Sequence, residues 1–111
     1  MKNIWLQLRE DILMDIRQLR YFITIAEEGN ITKAARRLHI AQPPLSQQLK
    51  LLEEELGVKL VERGSRKIQL TDAGKILRHR AEQVVELVDS TVKELKDFNE
   101  GLQGTLFVGT V

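Results

Sequence analysis

Apolar residues recur at three- and four-residue steps in four separate stretches of this chain, the spacing of amphipathic helices. The first predicted helix, 16–28 (IRQLRYFITIAEE), lines up Ile16, Leu19, Phe22, Ile23 and Ala26 on one face and stops at Gly29. Asn30 is placed to cap a second helix, ITKAARRL, whose inward stripe is Ala34, Ala35 and Leu38 and whose Lys33, Arg36 and Arg37 point away. After the linker HIAQ, with Ile40 plugging the core, a third helix carries Leu45, Leu49, Leu52 and Leu56 and ends at Gly57. Two helices so closely joined form a helix-turn-helix, although His39 stands where a glycine often makes the turn. VKLVERGSRKIQL then reads as two short strands, around Leu60 to Glu62 and Lys67 to Leu70, with Gly64 and Ser65 at the tip. Three helices and a hairpin make a mainly α, winged helix-turn-helix head.

Thr71 can cap a longer helix, expected over 72–100, a rod of roughly 40 Å. Leu77, Ala81, Val84, Val88, Thr91, Leu95, Phe98 and Leu102 alternate four- and three-residue steps, a heptad register with one polar member. A small head cannot cover so long a seam, so homodimer formation through this helix is expected; folding back on its own head is the alternative. Val85 and Val92 lie off the seam and are the positions expected to touch the head. Gly101 and Gly104 are expected to break the helix, and TLFVGTV to open a strand of a further domain, making the chain part of a longer protein. Ordered patterning begins at Met14. The expected organisation is therefore an extension or translated leader (1–13), a winged head (14–71), a linker helix (72–103) and the start of another domain (104–111).

With 111 residues, 42% of them hydrophobic and 30% charged, the chain fits one globular domain or slightly more, too short for a two-domain enzyme. There is no cysteine, hence no disulfide or thiolate chemistry, which fits a reducing cytoplasm. No apolar run approaches the ~18 residues of a membrane helix. The net charge of +1 conceals an asymmetry: 15–80 holds thirteen Lys and Arg against eight Asp and Glu, or +5, whereas 81–111 holds two against six, or −4. A basic head on an acidic, periodic tail points to a polyanion.

The chemistry concentrates at the start of the third helix. Pro43 and Pro44 fall in its first turn, where a missing N–H costs nothing and the fixed φ stiffens the end. Ser46, Gln47 and Lys50 then project outward, preceded by Gln42. A glutamine offers both donor and acceptor and can pair with adenine N6 and N7 in a major groove, discriminating by ~1–3 kcal/mol. Lys33, Arg36 and Lys50 are candidate phosphate contacts, and Arg63, Arg66 and Lys67 give the wing a basic tip for phosphate or the minor groove. Each has a plainer alternative: Gln42 as a cap, Ser46 bonded to its own helix, the amides and basic residues merely solvated. Joint placement on one helix-turn-helix favours base reading. His39 and His79 have no partners for a metal site or triad, the acidic run 53–55 implies no acid/base pair, and the glycines form no phosphate loop.

The segments AARRLHIAQPPLS, LEEELGVKL and LTDAG, in this order, resemble the N-terminal part of LysR-type transcriptional regulators over Met14 to Val111. The resemblance implies a winged helix-turn-helix, a linker helix pairing two heads, and a C-terminal domain that binds a small-molecule inducer. It implies double-stranded DNA as partner, at interrupted inverted repeats, with tetramers built from two dimers. No cofactor is expected in the chain itself. By position, Gln42, Pro43, Pro44 and Ser46 match residues facing the major groove and Arg66 the wing residue nearing the minor groove. Gln47 departs from the family's frequent arginine and Val61 from its common phenylalanine. The rival is a protein-interaction winged helix whose basic face binds an acidic partner; an enzyme comes third, for want of assembled catalytic groups.

Overall fold

The protein is described by a computed structural model covering residues 14–64 and 67–108, with side chains as far as Gly101. Helices α1 (Ile16–Glu28), α2 (Ile31–Leu38) and α3 (Gln42–Leu56) are followed by strands β1 (Val61–Glu62) and β2 (Gln69–Leu70) and a long helix α4 (Asp72–Val108). The expected extension 1–13, the wing-tip residues Ser65 and Arg66, the side chain of Leu102 and the end of the expected last strand lie outside the described residues.

The starts of α1 and α2 follow from side-chain caps. Asp15 Oδ1 accepts from Gln18 N at 2.8 Å while Gln18 Oε1 accepts from Asp15 N at 3.0 Å, so two donors at the start of α1 are satisfied reciprocally. Asn30 Oδ1 accepts from Lys33 N at 2.9 Å and starts α2 as the sequence predicts. Gly29 (φ 66°) and Gly57 (φ 71°) close α1 and α3 in the left-handed conformation that glycine adopts without a Cβ clash.

Phe22, Ile25, Ala34, Ala35, Leu45, Leu49, Leu52, Leu60 and Val61 form one buried cluster between the three helices and the hairpin. The expected inward face of α1 needs correction: Ile25 is inside, whereas Ile16, Ile23 and Ala26 are half-buried. The reason is that α1 packs on two sides. Its main face meets α2 and α3, while Ile23 shares a groove with Val85 of α4 and Ala26 shares another with His79 and Glu82. Val85, half-buried, faces the head across that groove, whereas Val92 is exposed.

The strands are shorter than expected, two residues each, paired antiparallel with Val61 opposite Leu70 and Glu62 opposite Gln69. Beyond that ladder, Ile68 N donates to Gly29 O at 2.9 Å, so the wing's return arm is tied to the end of α1 instead of extending the hairpin. Thr71 then joins wing to long helix: its Oγ1 donates to Lys59 O at 2.6 Å and accepts from Gly74 N at 3.0 Å.

The expected break in α4 does not occur. The helix runs through Gly101 and Gly104 to Val108, and TLFV is helical rather than extended. A glycine weakens a helix by roughly 1 kcal/mol but keeps its N–H, so the hydrogen-bond ladder can continue through it. Two members of the expected seam face inward. Ala81 is 1% exposed and Leu77 packs against the core cluster, so both are taken up by the chain's own head.

Gly74 is the tightest point of this architecture, since a β-carbon there would overlap the Leu60 carbonyl oxygen. Gly74→Ala is expected to destabilise the head by about 1–3 kcal/mol, read as a lower urea midpoint at unchanged slope. An unchanged midpoint would show that α4 can lift away from Leu60 without cost.

Candidate nucleic-acid interface

The turn between α2 and α3 is made by His39, which adopts φ 60°, ψ 39° and stands as the one described non-glycine residue with positive φ. Its N–H donates to Arg36 O at 3.2 Å, and Ile40 N donates to Ala35 O at 3.0 Å, closing the last turn of α2. Ala41, in extended conformation, is the N-cap of α3 and supplies no side-chain acceptor. Pro43 and Pro44 remove two of the N–H groups such an acceptor would serve, which is why the end can stand uncapped.

α3 buries Leu45, Leu49 and Leu52 and leaves Gln42, Pro43, Pro44, Gln47 and Lys50 exposed, with Ser46 half-buried. Helical spacing sets Pro43, Gln47 and Lys50 in one strip. Gln42 does not cap the helix; its Nε2 donates to Ser46 Oγ at 3.2 Å, which keeps its oxygen and second N–H available. Leu51, half-exposed beside Gln47 and Lys50, adds an apolar group that the leucine stripe did not account for.

The basic residues fall into different situations. Lys33 and Arg36 on α2, Lys50 on α3 and Arg63 on the wing are exposed and make no ion pair among the described residues. Arg37 instead contacts Glu27 Oε1 at 2.7 Å and Glu28 Oε2 at 3.2 Å, and its guanidinium pKa is raised above the usual arginine value, chiefly by hydrogen bonding to Glu27 and then Glu28. Arg20 pairs with Asp89 Oδ1 of α4 at 2.6 Å. The methylene stem of Lys67 lies across Gly29, close enough that a β-carbon there would sit 2.9 Å from its Cε. Arg66 is outside the described residues.

Sequence reasoning missed three features here. Glu53 is buried and its Oε2 accepts from Leu60 N at 2.8 Å and Val61 N at 3.3 Å, so the acidic run contains a structural staple. Gln18 Nε2 donates to Gln48 Oε1 at 3.3 Å across α1 and α3. On α4, Ile76 (66%) and Leu87 (67%) are exposed together with Val84, Leu95 and Phe98, whereas Val88 is half-buried. The apolar strip of α4 is thus rotated from Ala81 and Val88 toward Leu87 and Ile76, and exposed Thr91 remains within it. Only the capping pattern of Gln18 was visible in sequence, as a glutamine three residues after Asp15. Among the described residues no three His, Asp or Glu side chains gather as a metal site, and no helix is long and apolar enough to cross a membrane.

Residues 16–75 match the bacterial regulatory helix-turn-helix protein, lysR family. The HTH-type transcriptional regulator BsdA of Bacillus subtilis is 52% identical over 98 residues, 87% of this chain and 34% of that protein. A probable cat1 operon transcriptional activator of Acinetobacter lwoffii is 58% identical over 76 residues, 68% of this chain and 25% of that protein. The chain thus spans about a third or less of these curated relatives. Among solved structures, the BenM_DBD/catB site 1 DNA complex matches with TM-score 0.76 and 46% identity over 78% of this chain and 97% of that one. CbnR, a LysR family transcriptional regulator, matches with TM-score 0.71 and 44% identity over 75% of this chain and 29% of that one.

The left-handed turn yields a test independent of any ligand. His39→Gly is expected to stabilise the head by about 1 kcal/mol, because glycine adopts that conformation without the Cβ conflict. Thermal unfolding checks it; a lower midpoint would mean that the imidazole makes a contact outweighing the backbone strain.

Proposed function

Since this chain belongs to the lysR family of bacterial regulatory helix-turn-helix proteins, we propose that it binds double-stranded DNA sequence-specifically and serves transcriptional control as part of a LysR-type regulator. The carrying observation is the stiff start of α3, where Gln42, Pro43, Pro44, Gln47 and Lys50 stand exposed on a helix fixed from behind by Leu45, Leu49 and Leu52. α3 enters the major groove. Gln42, Ser46 and Gln47 read base edges there, while Pro43 and Pro44 pack against the groove. Lys33, Arg36 and Lys50 meet phosphates; Arg63, Arg66 and Lys67 bring the wing to the backbone or minor groove. The likeness of the head to a protein solved with DNA supports this reading.

Two copies pair through α4, whose exposed Val84, Leu87, Thr91, Leu95 and Phe98 exceed what one head can cover. Paired heads address half-sites about 34 Å apart or a multiple of that. Leu102 extends this seam, and Ile76 begins it in place of Leu77 and Ala81. The full-length regulator is proposed to respond to a small-molecule inducer bound outside this chain, to form tetramers from dimers, to lack enzymatic activity and to work in the cytoplasm. The chain's organisation as a head over 14–71 with a linker helix after it belongs to the same proposal.

Two outcomes test this. Retention of selected over random genomic fragments is expected in a gel shift, and Lys50→Ala should lower the log–log salt slope of binding by about 0.9. No selection, or an unchanged slope, would reject the reading or the Lys50 contact respectively. For the dimer, Leu87→Asp is expected to convert the chain to monomer in sedimentation equilibrium; a dimer that persists would place the interface elsewhere.

A further inference from the structure

Two adjacent glutamines on α3 have different chemistry. Gln47 is exposed with neither amide atom engaged among the described residues, which leaves its oxygen and nitrogen for the paired edge of a base. Gln48 is half-buried, and its Oε1 accepts from Gln18 Nε2 at 3.3 Å.

The direction of that bond is fixed from α1. The backbone N–H of Asp15 can only donate, so the Gln18 atom 3.0 Å from it must be the oxygen. The remaining end of the Gln18 amide, in a residue only 8% exposed, is therefore the NH2 group, and its partner on Gln48 must be an acceptor. Gln48 is left with its own NH2 turned away from Gln18. No buried side-chain nitrogen or oxygen among the described residues lacks a partner, so this unbonded NH2 reaches solvent.

An amide whose oxygen is spent cannot form the donor–acceptor pair that adenine requires; it suits an anionic oxygen that only accepts. Its position agrees. Gln48 lies off the strip of Pro43, Gln47 and Lys50, on the flank of α3 next to the start of α1, where Arg17 is exposed and the Asp15 carboxylate is turned onto Gln18 N at 2.8 Å. When a helix lies in a groove its flanks face the phosphate walls. We propose that Gln48 binds a DNA phosphate, held donor-outward by Gln18 as a positioning residue. This rests on α3 being the reading helix.

The test uses the whole chain, a duplex it selects from random genomic fragments, and a scramble of the same composition, with Kd measured across salt. Gln48→Met keeps the side chain's length and removes its donors. Gln18→Glu still accepts from Asp15 N but cannot donate to Gln48, and its effect is measured in the wild type and in the Gln48→Met background. Gln48→Met is expected to weaken both duplexes about tenfold, the weight of one hydrogen bond to an anion, leaving their ratio and the salt slope unchanged. Gln18→Glu should cost several-fold more in the wild type than in the Gln48→Met background, at an unaltered unfolding midpoint; added charge alone would cost the same in both. Equal cost in both backgrounds overturns the positioning role. A Gln48→Met loss confined to the selected duplex assigns a base contact and overturns the phosphate. No loss in a wild-type protein that still selects its duplex removes this proposal alone, whereas a wild type that selects nothing removes the reading of α3 as well.

Discussion

Three elements are fixed to one another at the backbone of Leu60. Its N–H donates to Glu53 Oε2 of α3, and its carbonyl accepts from Thr71 N at 3.0 Å while lying against Gly74 of α4. Its side chain closes the core from below, and the neighbouring Val61 N shares the same Glu53 oxygen. Burying a carboxylate side chain is costly unless it is hydrogen-bonded, and here two backbone donors converge on one of its oxygens, Oε2. Helix α3, the start of β1 and α4 are therefore joined at one residue, and the direction in which α3 faces is tied to where the chain leaves it.

From that fixed frame the outer surface of the head divides by chemistry. The inner faces of α1, α2 and α3 are occupied by aliphatic and alanine contacts, and the acids at the rear of α1 hold Arg37 away from the front. What remains in front is a proline-stiffened turn, uncharged amides and the basic side chains of Lys33, Arg36 and Lys50, which make no ion pair among the described residues. The proposed reader thus gains its order from two sources: the leucines behind it fix the helix, and the prolines limit fraying at its end.

Local signals were legible because they act within a few residues. The extent 16–28 of α1, the Asn30 cap, the leucine stripe of α3 and Thr71 were all visible as patterns, each depending on neighbours three or four positions away. Features set by distant partners were not. Ile25 is inside because α4 occupies the flank of Ile23, and Glu53 is a staple because β1 starts beneath it. A strict heptad placed Ala81 on the seam. The head covers Ala81, and Leu87 joins the exposed strip instead. The glycines of the tail read as stops in sequence, yet a helix already about eight turns long passes through them. The candidate side chains on α3 were read from type and spacing; the Gln18–Gln48 pair needed the fold, being thirty positions apart.

The Arg20–Asp89 pair has a mechanical meaning. It clamps α4 to the head more than four turns past Gly74, so the bearing of the helix is gripped at two separated points. Beyond Asp89 the rod projects about 28 Å further. A tilt of about five degrees at the clamp would sweep its tip by roughly 2–3 Å over that length. Small angular play at the joint is thereby geared up into displacement at the far end, and the exposed Arg20–Asp89 pair adds to the grip that Gly74, Leu77 and Ala81 already give.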